Sequence, residues 1–188
     1  MSRILFTSVV AGCFVLANLP AQAQQVVHAL TGTVSSIDTT EKTITLFLDG
    51  GSESTFNDMT NSKTPITVDK RILAETTAVD DFKKKGAYVI VFYFGGDTRS
   101  VVALRNLGAG PFTSTVGTVI KLDGREHSIA VQDDSGAIQT FRLSAETVAE
   151  SGFGAVNGLK FQVQRGDHVR VVGANLNGAA EALFVSAN

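Results

Sequence analysis

"GTVSSIDTTEKTITLFLDGGSESTF" (Gly32–Phe56) and "GTVIKLDGREHSIAVQDDSGAIQTF" (Gly117–Phe141) are two copies of one pattern. They align without a gap at an offset of 85 residues, and Gly32, Thr33, Val34, Asp38, Glu41, Ile44, Asp49, Gly51, Thr55 and Phe56 all recur. The match resumes at a shorter spacing. "KKGAYVIVF" from Lys84 follows "QRGDHVRVV" from Gln164, setting Gly86 against Gly166, and "VVALRNL" from Val101 follows "AEALFVS" from Ala180. The first copy is longer by a polar stretch around "NDMTNSK" (Asn57–Lys63). A repeat of this length marks a duplicated supersecondary unit.

Each unit reads as β. Apolar and polar residues alternate through "TGTVSSI" (31–37) and "KTITLFL" (42–48), with Asp-Gly punctuation between runs. In the second copy strands are expected near Thr115–Leu122, His127–Gln132, Ile138–Leu143, His168–Gly173 and Ala180–Ser186. Ser144 opens "SAETVAES", expected as a short helical turn with a serine N-cap; "AVDDFKKKG" holds that place in the first copy. Five short strands with a helical turn after the third predict an all-β chain of two tandem five-stranded OB-like Greek-key barrels. The expected divisions are a signal peptide at 1–23, an N-terminal tail at 24–30, the first barrel at 31–106, a linker "LGAGPFTS" at 107–114 and the second barrel at 115–188.

The signal reading rests on Arg3, the apolar run "ILFTSVVAGCFVLANL" and the small residues Ala21 and Ala23 of "PAQA". They predict export with cleavage after Ala23 and a periplasmic or secreted protein with no transmembrane segment in the mature chain. "VAGC" ending at Cys13 leaves lipidation of that cysteine as the alternative. Cys13 is the only cysteine, so a chain cut after Ala23 has no disulfide and no thiolate metal site. The net charge of −2 becomes −3 without Arg3. That weakly acidic balance carries the expectation of no nucleic-acid partner.

"TGTVSSIDTTEKTITL", "DMT" (Asp58–Thr60), "KKGAYVIVFYF" and "VVAL" together resemble the periplasmic copper/silver-binding chaperones built on an OB-type barrel. They also resemble the broader exported bacterial domains of tandem small OB-like barrels, whose function is uncharacterised. The chaperone resemblance implies a ligand set of one histidine on the second strand, a tryptophan, and a Met-x-Met pair, soft donors suited to a monovalent ion. Here the strand position holds Phe47 or Gln132, Met59 has Asn61 in place of its partner, and there is no tryptophan. No metal and no cofactor are therefore expected, and a diverged copper- or silver-handling protein is the alternative function.

His28, His127 and His168 share no ligand-like spacing. "SGFG" at Ser151 lacks the Gly-x-Ser-x-Gly pattern of a nucleophile elbow, and "GAGP" at Gly108 lacks a phosphate-loop lysine. Asp80–Asp81 and Asp133–Asp134 read as turn residues, and Lys83–Lys85 as a solvated basic turn. No nucleophile–base pair is visible, so catalysis is not expected.

The two copies differ in one informative way. Between the shared inward residues Val89 and Val91, matched by Val169 and Val171, the first copy places Tyr88, Ile90 and Phe92; the second places His168, Arg170 and Val172, a mostly wet face. Phe47 replaces Gln132 in the same sense. An apolar face of this size needs cover, from the second barrel, the polar insert, or an outside protein or apolar ligand. Phe47, Tyr88, Ile90 and Phe92 are expected to line whatever the first barrel contacts. The expected function is a non-enzymatic binding or structural module of the bacterial envelope whose partner is a protein or apolar ligand.

Overall fold

The computed structural model describes residues 25–58, 66–73, 75–78, 82–95, 99–176 and 178–187; the expected signal segment, Met59 and Asp80–Asp81 lie outside them. The first unit comprises β1 (Gln25–Val26), β2 (His28–Asp38), β3 (Thr43–Leu48), β4 (Glu53–Asp58), β5 (Ile66–Thr67), β6 (Thr76–Thr77), β7 (Tyr88–Phe94) and β8 (Ser100–Gly108). The second comprises β9 (Phe112–Asp123), β10 (Ser128–Asp133), β11 (Ile138–Arg142), β12 (Val148–Ser151), β13 (Gly154–Asn157), β14 (His168–Leu176) and β15 (Ala179–Ala187).

Both units close the same way. The order β4-β3-β2-β7-β8 is joined end to end by a parallel β4–β8 contact, Asn57 opposite Ser100. The order β11-β10-β9-β14-β15 is joined by Arg142 opposite Glu181. In each, the first strand lies between the second and fourth while the third meets the fifth, the connectivity of a five-stranded OB-like barrel. The all-β, two-barrel fold read from the sequence is the fold observed.

The repeated residues are those that bend and pin the barrel. Strand registers shift after Val34 in β2 and at Ile120 in β9, so Ser35 and Ile120, 85 residues apart, are the bulged positions. A bulge lets one long strand serve both halves of a closed sheet. At Gly32 an added Cβ would lie 2.7 Å from the Phe47 carbonyl oxygen, and at Gly117 it would lie 2.1 Å from that of Gln132. Just before the bulge, Val34 N donates to Ala87 O (3.0 Å) and Gly86 N to Val34 O (2.8 Å); Val119, Asp167 and Gly166 repeat this at 2.9 and 2.8 Å. Asp38 Oδ1 accepts the Thr40 and Glu41 amides, as Asp123 Oδ1 accepts those of Arg125 and Glu126. These carboxylates tie the first hairpin, whose left-handed residue is Lys42 (φ 53°) or His127 (φ 49°).

Each barrel has its own core. Val34, Ile44, Leu46, Phe56, Val89 and Val91 fill the first; Val119, Ile129, Val131, Phe141, Val169 and Val171, their counterparts, fill the second. Phe82 and Phe161, from the segments before the fourth strands, complete these cores.

Four local expectations are corrected. The strands run longer than read, so only Ala109–Pro111 of the expected linker 107–114 lie between β8 and β9. Ser144 does accept the Glu146 and Thr147 amides on its hydroxyl, as an N-cap would, but the chain then enters β12 because Val148 and Ala149 are buried against β15. Strand pairing matches Val101 with Ala182, two residues beyond the partner Ala180 read from the sequence. A slip of two leaves every side chain on its face, so alternation alone does not detect it. Finally, the face carrying Arg170 and Val172 is not wet: Val172 is buried and the Arg170 side chain is 15% exposed.

Candidate functional site

That last correction leads to the seam between the barrels. β7 is "YVIVFYF", apolar on both faces, and it is covered on both. Val89 and Val91 point into the first barrel, while Ile90 and Phe92 join a third buried cluster with Val27, Ala29, Ile72, Ala103, Val148, Val172 and Phe184. Phe92 and Phe184 are fully buried. Each large side chain removed from water here contributes about 1.5–3 kcal/mol. Phe92 corresponds to Val172, Ala103 to Phe184, and Val27 to the partly buried Phe112, so both barrels bring the same face to the contact.

Polar groups rim the seam and are matched in pairs. Arg170 on β14 reaches into the first barrel, where Nη1 pairs with Asp49 Oδ2 and Nη2 donates to Thr31 Oγ1 at 2.9 Å. Asp49 Oδ2 also accepts from Thr31 Oγ1 and from the Tyr88 hydroxyl, both at 2.6 Å. The guanidinium lies 5.5 Å from the centroid of Phe184, and Phe112 packs on Tyr88 with centroids 5.2 Å apart. Burial, then the hydrogen bond to Asp49, pushes the Tyr88 phenol up to about 12. On another edge, Glu150 Oε1 meets His28 Nδ1 at 2.7 Å and Oε2 accepts the Ala29 amide at 2.8 Å. Burial raises the Glu150 carboxyl above its ordinary range, against those two hydrogen bonds. On a third edge, Asp69 Oδ2 accepts from Asn157 Nδ2 (2.6 Å) and Lys160 Nζ (3.2 Å). The Arg71 amide and then Asn157 hold Asp69 below the usual carboxylate range. Arg105 donates to the carbonyls of Ile72 and Glu146, one on each side.

Of the four residues expected at a contact, Ile90 and Phe92 are buried in the seam, Tyr88 is half-buried on its rim, and Phe47 stands apart on β3, 51% exposed. What the first barrel contacts through β7 is the second barrel. The histidines are not brought together: His28 is in the seam, His127 is a hairpin turn and His168 begins β14. Among the described residues no group of three or more His, Cys, Asp or Glu converges. Ser151 and Asp133 are occupied in their own turns. Asp49, Glu150, Asp69 and Arg170 are not singled out as site residues by the sequence; their partners across the seam lie 88 to 139 residues away, beyond any local pattern.

A concave surface lies at the end of the first barrel. A cleft of about 660 Å³ is lined by Lys83, Lys84, Lys85, Gly86 and Ala87 on one side and Asn106, Gly108 and Ala109 on the other. Asn106 Oδ1 accepts the Gly108 amide (3.0 Å).

No protein-family model matches the chain, and no curated protein matches it. Among solved structures it is similar to one described as drosophila Unr CSD456, at 13% identity and a TM-score of 0.33, over 85% of this chain and 61% of that one. The match thus spans less than two thirds of that chain, and at this level it assigns neither ligand nor activity. The expected exclusion of nucleic acid as a partner is corrected. It rested on net charge, which sums over the chain and is blind to a local basic surface such as this cleft. The fold and seam define a protein of two docked OB-like barrels.

Proposed function

We propose that the chain is an exported, non-enzymatic binding module of the bacterial envelope in which two OB-like barrels act as one body. The observation that carries this reading is the seam. An apolar cluster rimmed by Arg170–Asp49, Glu150–His28 and Asp69–Asn157 holds the barrels in a fixed mutual orientation. A fixed orientation presents loops and outer faces of both barrels to a ligand without the entropic cost of ordering a hinge. Export is supported by the charge, apolar run and "AQA" box of the first 23 residues. Native mass spectrometry of protein taken from its own host tests the whole reading. The expected result is a chain beginning at Gln24 that carries a mass excess lost on denaturation. A chain retaining residues 1–23 in the cytoplasm, or turnover of a substrate by the purified protein, would overturn it.

A further inference from the structure

The two barrels build the same turn before their fourth strands and finish it differently. In the second barrel Asp167 N donates to Gln164 O (3.1 Å) across Gly166, whose φ is 101°. The Asp167 carboxylate then turns back and accepts the Gln164 amide through Oδ2 at 2.7 Å. In the first barrel Ala87 N donates to Lys84 O (3.3 Å) across Gly86, φ 81°. The backbone is the same, but Ala87 stands where Asp167 does, and no carboxylate of a described residue accepts the Lys84 amide. An anion seat that one repeat fills with its own side chain is left without one in the other.

The surroundings of that position favour an anion. Residues 163–165 of the second barrel are Val-Gln-Arg; residues 83–85 of the first are Lys-Lys-Lys. None of the residues lining the cleft is acidic. Lys84 and Lys85 are exposed and pair with no carboxylate among the described residues. The ammonium groups of Lys84 and Lys85 repel one another, and an oxyanion beside them relieves that repulsion through charge-assisted hydrogen bonds. Gly86, Ala87, Gly108 and Ala109 keep the walls low, so a ligand can reach the backbone.

We propose that this cleft binds a small polyanion, one of whose phosphoryl or carboxylate oxygens takes, on the Lys84 amide, the place held by the Asp167 carboxylate in the second barrel. The proposal deepens the binding role above and rests on it. A mass excess matching an uncharged compound would leave that role standing and remove this one.

The test is titration of 15N-labelled protein with inorganic pyrophosphate and with citrate, followed through backbone amide shifts. Saturable shifts are expected at Lys84, Gly86 and Gly108, with none at Gln164. Ala87→Asp supplies the missing carboxylate internally, and abolishes these shifts while the remaining spectrum is preserved. Lys84→Gln and Lys85→Gln, which leave the turn intact, each weaken binding by about two- to fivefold, the range for one exposed charge contact. The phosphoryl and carboxylate sources are separated by which of the two probes saturates at lower concentration. Unsaturable shifts with both, or full binding by Ala87→Asp, would overturn the proposal. So would tighter binding of oligothymidylate than of pyrophosphate at the same amides.

Discussion

Asp49 gathers three donors on one carboxylate: the Thr31 hydroxyl, the Tyr88 phenol and the Arg170 guanidinium. Its counterpart in the second barrel, Asp134, has the same place in the repeat and no such role, so identity within a repeat does not imply identity of task. Tyr88 reports on this cluster. The protonated phenol is favoured in the folded chain, so its contribution is complete below the free-tyrosine pKa and is lost as pH rises through about 12. Ultraviolet titration near 295 nm is expected to show little tyrosinate at pH 10, where a free tyrosine is half ionised; Tyr93, the other tyrosine, is raised by burial as well. Normal titration of Tyr88, isolated in a Tyr93→Phe variant, would show the cluster to be open. At Gly117 the constraint is steric, because a methyl group would collide with the Gln132 carbonyl of the neighbouring strand. Gly117→Ala is expected to cost about 1–3 kcal/mol or more by urea denaturation, and more than Gly32→Ala, where the approach is less close.

At the scale of elements, β7 decides how the molecule is assembled. Its alternate residues belong to two different cores, which is why the run reads as continuously apolar rather than alternating. Phe92→Ala is expected to cost about 3–5 kcal/mol, because the cavity opens where both barrels meet. The loss should appear as separated melting of the two barrels in calorimetry; a single transition with unchanged midpoint would place Phe92 outside the seam's energetics. The apolar face was legible as a face needing cover. Which cover it takes was not, because the second barrel's matching strand shows His168 and Arg170, which read as wet. Arg170 hides its alkyl stem and spends its charge on Asp49 across the seam, a pairing with a separation of 121 residues.

For the whole molecule, two carboxylates that cross the seam respond to acid in opposite senses. Asp69 is lowered, so its contribution is complete above its ordinary value of 3.8 and is lost as pH falls through the lowered value. Glu150 is raised; the folded chain binds its proton more tightly than the unfolded one, so stability falls as pH climbs from 4.5 through the raised value. Thermal melts between pH 2 and 8 are expected to show a descending limb on each side, about the ordinary carboxylate values. Asp69→Asn should flatten the acid limb and Glu150→Gln the mildly acidic one. Parallel profiles for the wild type and both variants would mean that neither carboxylate is linked to docking.

The amino-acid sequence by itself determined the barrels. The bulge at Ser35 and Ile120, the close glycines Gly32 and Gly117, the hairpin carboxylates Asp38 and Asp123, and the turns at Gly86 and Gly166 are local devices. Each acts within one strand pair or turn, so each leaves a mark at a fixed spacing, and duplication wrote every mark twice. Tertiary structure alone decided what the barrels do to each other. Phe92 against Phe184, Arg170 on Asp49 and Glu150 on His28 join residues from different repeats, and no local period encodes such a meeting. The lysine cleft falls between the two cases. Lys83–Lys85 and the Ala87-for-Asp167 exchange are readable in the chain, but the cleft exists only because β8 returns Asn106 and Gly108 to the opposite wall.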